Sequence, residues 1–192
     1  MVTIRLKRTI GIILSLSLGI SVNAQPTPAN IKKEIALEIN RFRLDTGQGS
    51  TQKRALVQKT ALDKAAQIHA DWCVKSGQGG HVETRPVAGQ PLLPECSDRG
   101  KYFGVTVFSE ILIPTLPITP SCGAKDRAQL AVETWANSKT GHREAMLMGF
   151  PTEVEAQVGV GLTQIQNSEN WVIVVVFGAN IDPMSGELIQ QK

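Results

Sequence analysis

Two apolar stretches in the C-terminal third decide the fold class: Val158-Gly-Val-Gly-Leu-Thr163 and Trp171-Val-Ile-Val-Val-Val-Phe177. Both are rich in β-branched residues, and polar residues 164–170 separate them, so we predict two neighbouring strands. The second stretch is apolar at every position, which is typical of a strand that is covered on both faces. The sequence therefore predicts a sheet with helices on both sides.

Helical spacing and helix-start signals predict four helices, at about residues 28–46, 60–76, 126–135 and 141–148. The first has Thr27 as N-cap and Pro28 at its first position. Thr60 and Asp63 form a capping-box-like start for the second, and Asp126 is the predicted N-cap of the third. Helices before, between and beside the strands indicate an α/β layered sandwich.

Between the second and third helices, residues 84–120 hold six of the ten prolines. Proline cannot donate a ladder hydrogen bond, so we expect mostly loop there, with one strand-like interruption at 102–113. Cys96 and Cys122 both lie in this loop-like sequence, and we predict that they form a disulfide. The alternative is a bridge from Cys73 to either of them, since three cysteines allow one internal bridge at most.

The N-terminus is predicted to be a secretory signal peptide over residues 1–24. It combines basic residues (Arg5, Lys7 and Arg8), a run of 13 apolar residues and small residues at its end. The apolar run is shorter than the roughly 20 residues of a spanning helix, and an uncleaved anchor is the alternative. Residues 25–192 are then expected to form one periplasmic or secreted domain, with no transmembrane segment after signal cleavage.

The charge of the chain is uninformative about basic binding surfaces. It carries 20 Lys and Arg against 17 Asp and Glu, but all of the excess lies in the predicted signal peptide. Nucleic-acid binding needs a basic patch on the folded domain, so we expect no nucleic-acid partner. With 42% apolar and 19% charged residues, the disordered and fibrous classes are excluded.

Three histidines and one acid are the candidates for chemistry. His69 lies in mid-helix on an Ala-rich face and is predicted to be packed. His81 follows a glycine-rich helix end and His142 begins a helix, so either ring can face a cleft and bind metal or act as a general base. Glu110 ends a strand-like segment. No His-Glu-x-x-His, nucleophile elbow, phosphate loop or dinucleotide fingerprint is present, so the sequence leaves open whether the protein is an enzyme.

The ordered motifs of the C-terminal half are Trp135-Ala-Asn-Ser-Lys-Thr-Gly-His142-Arg143, Phe150-Pro-Thr-Glu153, Val158-Gly-Val-Gly161, Asn170-Trp171 and Val176-Phe177-Gly178. Together they resemble bacterial CAP (SCP-like) domains, the superfamily of cysteine-rich secretory, antigen 5 and pathogenesis-related 1 proteins. The N-terminal half agrees with this resemblance. Asn40-Arg41-Phe42-Arg43 is similar to the opening helix of that family, and Gly80-His81 follows the second helix as in the family.

The resemblance implies a three-layer α-β-α sandwich with a central cleft where two His and two Glu converge. His81 and His142 match the two histidine positions. Glu110 matches the glutamate of a Gly-Glu-Asn-Ile motif, although its neighbours here differ. The fourth position holds Asn137 or Ser138.

Glu83 and Glu133 are the candidates for the acid of the missing fourth position. Two imidazoles and a carboxylate suit a zinc-type divalent cation, so His81, His142 and Glu110 form the predicted cleft and metal site.

We expect an exported binding or interaction module. The alternatives are a metal-dependent hydrolase of peptides or cell-envelope material and a lipid-binding protein whose apolar cleft edges are residues 111–113. The candidate partners are accordingly a lipid, a peptide or an envelope component.

Overall fold

The computed structural model describes residues 26–46, 54–119 and 121–189. The predicted signal peptide lies outside the described residues. Within them, no helix combines the length and the apolar character that crossing a bilayer requires.

The elements of the described residues follow the order α1 (Pro28–Thr46), β1 (Val57–Gln58), α2 (Thr60–Ser76), α3 (Cys96–Tyr102), β2 (Thr106–Pro117), α4 (Ala124–Ala136), α5 (His142–Met146), β3 (Ala156–Gln164) and β4 (Asn170–Ala179). The strands form one sheet in the order β1-β3-β4-β2. β1 is parallel to β3, whereas β4 lies antiparallel between β3 and β2.

Strand β4 lies at the centre of two apolar cores. One face carries Ile173, Val175 and Phe177, which pack with α1 and α4, and the other carries Val172, Val174 and Val176, which pack with α2. All six side chains are buried. Because the two faces are covered by helices, the strand has no polar side, and the predicted α-β-α sandwich is confirmed.

The glycines of β3 let α2 lie directly against the sheet. A Cβ at Gly159 would overlap the main chain of Leu62, and one at Gly161 would overlap the main chain of Ala66. Leu62 and Ala66 are themselves fully buried. The Val-Gly-Val-Gly pattern is therefore a packing requirement, since any side chain at these two positions would push the helix off the sheet.

The predicted helix starts are partly right. Thr27 caps α1, because its Oγ1 accepts a hydrogen bond from the Asn30 backbone N–H at 3.2 Å. Asp63 does not cap α2. Its Oδ1 accepts instead from the Val160 N–H of β3 at 2.7 Å, which satisfies a donor on the sheet edge beyond the short β1. Asp126 is the third residue of α4 rather than its N-cap, and the helix begins two residues earlier.

The proline-rich segment 84–120 is more regular than predicted. It contains α3, which has no counterpart among the predicted helices, and the 12-residue β2, which includes Pro114 and Pro117. The expectation of mostly loop was wrong because, within the described residues, β2 is an edge strand whose one partner is β4. Proline is tolerated there, since one side of an edge strand has no ladder partner.

The three cysteines are free thiols, so the structure lacks the predicted Cys96–Cys122 disulfide. Cys96 begins α3, close enough to Glu110 for the carboxylate to act on its thiol, and Cys122 lies beyond Pro117. The stretch of β2 from Glu110 to Pro117 spans about 23 Å at about 3.3 Å per residue. A disulfide needs Cα atoms within about 7 Å, and this strand lies between Cys96 and Cys122 in the chain.

Candidate functional site

Three elements bring together the three residues predicted for the cleft. His81 lies in the loop after α2, Glu110 lies within β2, and His142 is the first residue of α5. The Nδ1 of His81 is 3.0 Å from the Oε1 of Glu110, and the rings of His81 and His142 meet edge to face with centroids 6.3 Å apart. These residues are 61 positions apart at their extremes, and the sheet brings them to one place.

Both carboxylate oxygens of Glu110 are engaged. Oε2 accepts from Nη2 of Arg99 at 2.8 Å, while Oε1 faces the His81 ring and lies 3.6 Å from Nε2 of His69. Burial of this carboxyl disfavours its ionised form, but the hydrogen bond from His81 and the charges of His69 and Arg99 outweigh burial and lower the pKa of Glu110. Glu110 is therefore an ionised carboxylate at neutral pH.

His69, expected to be a packed residue, is a charged member of the cluster beneath the cleft. Its Nδ1 lies 3.1 Å from Oε1 of Glu83 and its Nε2 lies 2.8 Å from the carbonyl oxygen of Gly80. Both partners only accept, so both ring nitrogens donate and the ring is an imidazolium. Burial opposes this charge, but the hydrogen bonds with Cys73 and Glu83 and the charge of Glu110 raise the pKa of His69 to about 9.

Glu83 and Arg99 complete a buried set of four charges with His69 and Glu110. Nη1 of Arg99 lies 3.5 Å from Oε1 of Glu83, and all four side chains are at most 2% exposed. Two cations and two anions balance each other, which is the condition for keeping such groups away from water. Glu83 also accepts the backbone N–H of Leu93, so the cluster ties down the loop before α3.

The two cleft histidines differ from this cluster in being open to solvent. The side chain of His81 is 50% exposed, and that of His142 is only partly covered. Burial and the neighbouring His81 lower the pKa of His142, so its ring is neutral at pH 7. The arrangement is thus a pair of accessible imidazoles above a buried, charge-balanced floor.

Within residues 26–46, 54–119 and 121–189, no group of three or more His, Cys, Asp or Glu side chains is arranged to hold a metal ion. The reason is visible at Glu110, whose oxygens are taken by Arg99 and His81. Both oxygens of Glu110 thus have partners within the protein, and its role as a third metal ligand stays a prediction.

Other predicted participants lie elsewhere. Glu133 is exposed on α4, whereas Glu83 is a buried partner of His69 rather than a cleft acid. Ile111, Leu112 and Ile113 are at most 6% exposed and pack within the two cores, so they form no apolar cleft edge. Arg99 was missed because an arginine in proline-rich sequence gives no local sign of burial.

No profile of a known protein family matches the chain, and no curated protein matches it at a significant level. Several solved structures, in contrast, match the chain. An outer surface protein from Borrelia burgdorferi superposes with a TM-score of 0.52 at 20% identity, covering 79% of this chain and 93% of that one.

Two further structures are similar at lower scores. An extracellular SCP-domain protein from Bacillus anthracis has a TM-score of 0.49 at 16% identity, over 77% of this chain and 40% of its own. BmVAL-1 has a TM-score of 0.47 at 15% identity, over 88% of this chain and 85% of its own. The likeness to the Borrelia protein shows that the two chains share a fold. The observed helix–sheet–helix layers are those that the resemblance of the sequence to CAP domains implies.

Proposed function

We propose that this chain is an exported binding module whose ligand site is the cleft between His81 and His142. The leader-like residues 1–24 support export, and the Borrelia protein that shares the fold is described as an outer surface protein. The observation that carries the proposal is the pairing of two accessible imidazoles, one of them held by a buried carboxylate. The ligand we favour is a divalent cation such as Zn²⁺, alone or as a bridge to a peptide or envelope component.

The two rings fit such an ion. Zn–N bonds of 2.0–2.1 Å allow two imidazoles on one ion to have centroids about 5–6 Å apart, close to the 6.3 Å here. A metal-bound histidine usually donates the N–H of its other ring nitrogen to a carboxylate or a carbonyl group. His81 and Glu110 have this arrangement. A bound ion would supply a Lewis-acidic centre with open positions for a ligand. Two protein ligands make this an exchangeable site rather than a structural one.

The test is a calorimetric titration of Zn²⁺ into metal-stripped protein. We expect 1:1 binding that is lost in both His81→Ala and His142→Ala and retained in Glu133→Ala, a control that removes an exposed carboxylate. Equal binding by the wild type and both histidine variants would overturn the site, as would the absence of binding by folded wild-type protein. Zinc-dependent turnover of peptides that disappears in His142→Ala would replace the binding module by a hydrolase.

A further inference from the structure

Arg99 contacts both the backbone and the ring partner of His81. From α3, its Nη2 donates to the carbonyl oxygen of His81 at 3.1 Å and to Oε2 of Glu110 at 2.8 Å. Its Nη1 donates to the carbonyl oxygens of Leu93 and Pro94. The guanidinium is fully buried, so these contacts are shielded from water.

These contacts determine which nitrogen of His81 carries a proton. With Oε2 of Glu110 on Arg99, the other oxygen is aimed at Nδ1 of His81 at 3.0 Å. A carboxylate paired with an arginine only accepts, so Nδ1 must donate. In the neutral ring Nε2 then keeps its lone pair, and it belongs to a side chain that is half exposed.

We propose that Arg99 is the positioning residue of the cleft, holding the main chain of His81 and, through Glu110, its ring in the Nδ1–H form, so that Nε2 is offered as an electron-pair donor. This inference rests on the proposed function and narrows its ligand class. The cleft accepts a Lewis-acidic cation or an N–H or O–H donor, and it disfavours groups that only accept hydrogen bonds. A lysine replaces Arg99 only in part, because a single ammonium cannot occupy both the Nη2 position beside Glu110 and the Nη1 position beside Leu93.

A purely structural role of Arg99 would affect the stability of the protein without affecting the His81 ring. Arg99 also holds the loop at Leu93 and Pro94, so its loss is expected to lower stability whether or not it positions His81. Arg127 provides the matched control. It is also buried and holds a loop through the carbonyls of Thr119 and Cys122, beyond the far end of β2. Replacing either arginine removes a buried guanidinium, but only Arg99 contacts residues of the cleft.

The experiment is imidazole ¹⁵N–¹H correlation spectroscopy at pH 8 on the full folded protein, with zinc affinity as a second readout. We expect His81 to be predominantly Nδ1–H in the wild type and in Arg127→Gln. In Arg99→Gln it should shift towards Nε2–H, with zinc affinity about 10–100-fold weaker, the usual cost of losing an outer partner of a metal-bound histidine. Arg99→Lys should be intermediate, and it replaces Arg99→Gln if that variant does not fold.

Two results would overturn the inference: an Nε2–H form of His81 in the wild type, which needs no variant, or an unchanged tautomer when Arg99 is replaced. Failure of the proposed function is separable from both. If the folded wild type binds no zinc yet His81 is Nδ1–H and responds to Arg99, the cation proposal fails and the positioning role stands.

Discussion

The two halves of α2 pack in different ways. In the first half, Leu62 and Ala66 lie against Gly159 and Gly161 of β3, an apolar contact set by the absence of side chains on the strand. In the second half, His69 contacts acids from two other segments, and its ring stacks on Trp72 with centroids 5.7 Å apart. One helix thus combines a close apolar contact with a buried ionic one.

The difference teaches where single changes are costly and why. A contact between main chains leaves no room for rotation, so an added atom has nowhere to go. A balanced set of buried charges tolerates small movements of its side chains. Removing one member, however, leaves a buried charge without an opposite charge beside it. The first region is sensitive to volume and the second to charge and pH.

The largest effect is expected from Gly161→Val. Its side chain would collide with the Ala66 main chain, and no rotamer relieves a collision that begins at Cβ. We expect a loss of about 5 kcal/mol or more in the free energy of unfolding, enough to prevent folding. Urea unfolding followed by circular dichroism measures it. Gly80→Ala is the control, because a Cβ there meets open space, and a stable Gly161→Val protein would contradict this account of the α2–β3 contact.

In the polar half, Glu83→Ala removes one anion from the four-charge set. His69 and Arg99 then share a single carboxylate, and the Leu93 N–H loses its acceptor. We expect a loss of about 3–5 kcal/mol, the range for breaking a buried ion pair on one side. The same unfolding measurement applies, with the exposed Glu133→Ala expected within about 0.5 kcal/mol of wild type. A cost for Glu83→Ala as small as that of the control would show that the cluster is not a coupled unit.

The pH dependence of stability tests the second half of α2, because pH changes the charge of His69 and leaves the apolar contact of Leu62 and Ala66 with β3 unchanged. The pKa of His69 is raised to about 9 from an ordinary 6.5, so its contribution is complete below pH 6.5 and is lost as the pH rises through 9. The free energy of unfolding should fall by about 3 kcal/mol over this window, at about 1.4 kcal/mol for each unit of pKa. Urea unfolding at pH 6, 7.5 and 9 measures the slope.

His69→Gln is the matched variant for that profile, since it removes the titrating ring. Its profile should be flatter than that of the wild type between pH 6.5 and 9, and the difference between the two profiles isolates His69. On the acid side the lowered pKa of Glu110 has the opposite sign, because its contribution is lost as the pH falls below about 4.5. Parallel profiles for wild type and His69→Gln would refute the charged state of His69.

The smallest effect concerns the cysteines, which the structure leaves as thiols. Reducing agent, or the pair of substitutions Cys96→Ser and Cys122→Ser, should change the free energy of unfolding by less than about 0.5 kcal/mol. A Cys96–Cys122 disulfide would contribute about 3 kcal/mol. The measurement therefore separates free thiols from a disulfide clearly. Thiol titration in denaturant gives an independent count, with three free thiols expected per chain.

The apolar contacts were open to prediction because they depend on local patterns. The run from Trp171 to Phe177 has no polar face, and the structure covers both of its sides. The pairing of His81 with Glu110 was reached through the ordered motifs that resemble CAP domains, because 29 residues separate the two in the chain. Asp63 shows the limit of local signals: its position reads as a helix cap, yet it binds the β3 edge.

The sequence by itself determined the layers of this protein, the helices α1, α2, α4 and α5, and the candidate histidines of the cleft. Only the tertiary structure decided the charge state of His69, the role of Arg99 and the engagement of Glu110. The physical reason is that apolar periodicity is repeated along one element, so a short stretch reveals which face is buried. A buried charge is stable only beside its partners, and those come from α2, the following loop, α3 and β2, which meet only in the folded chain.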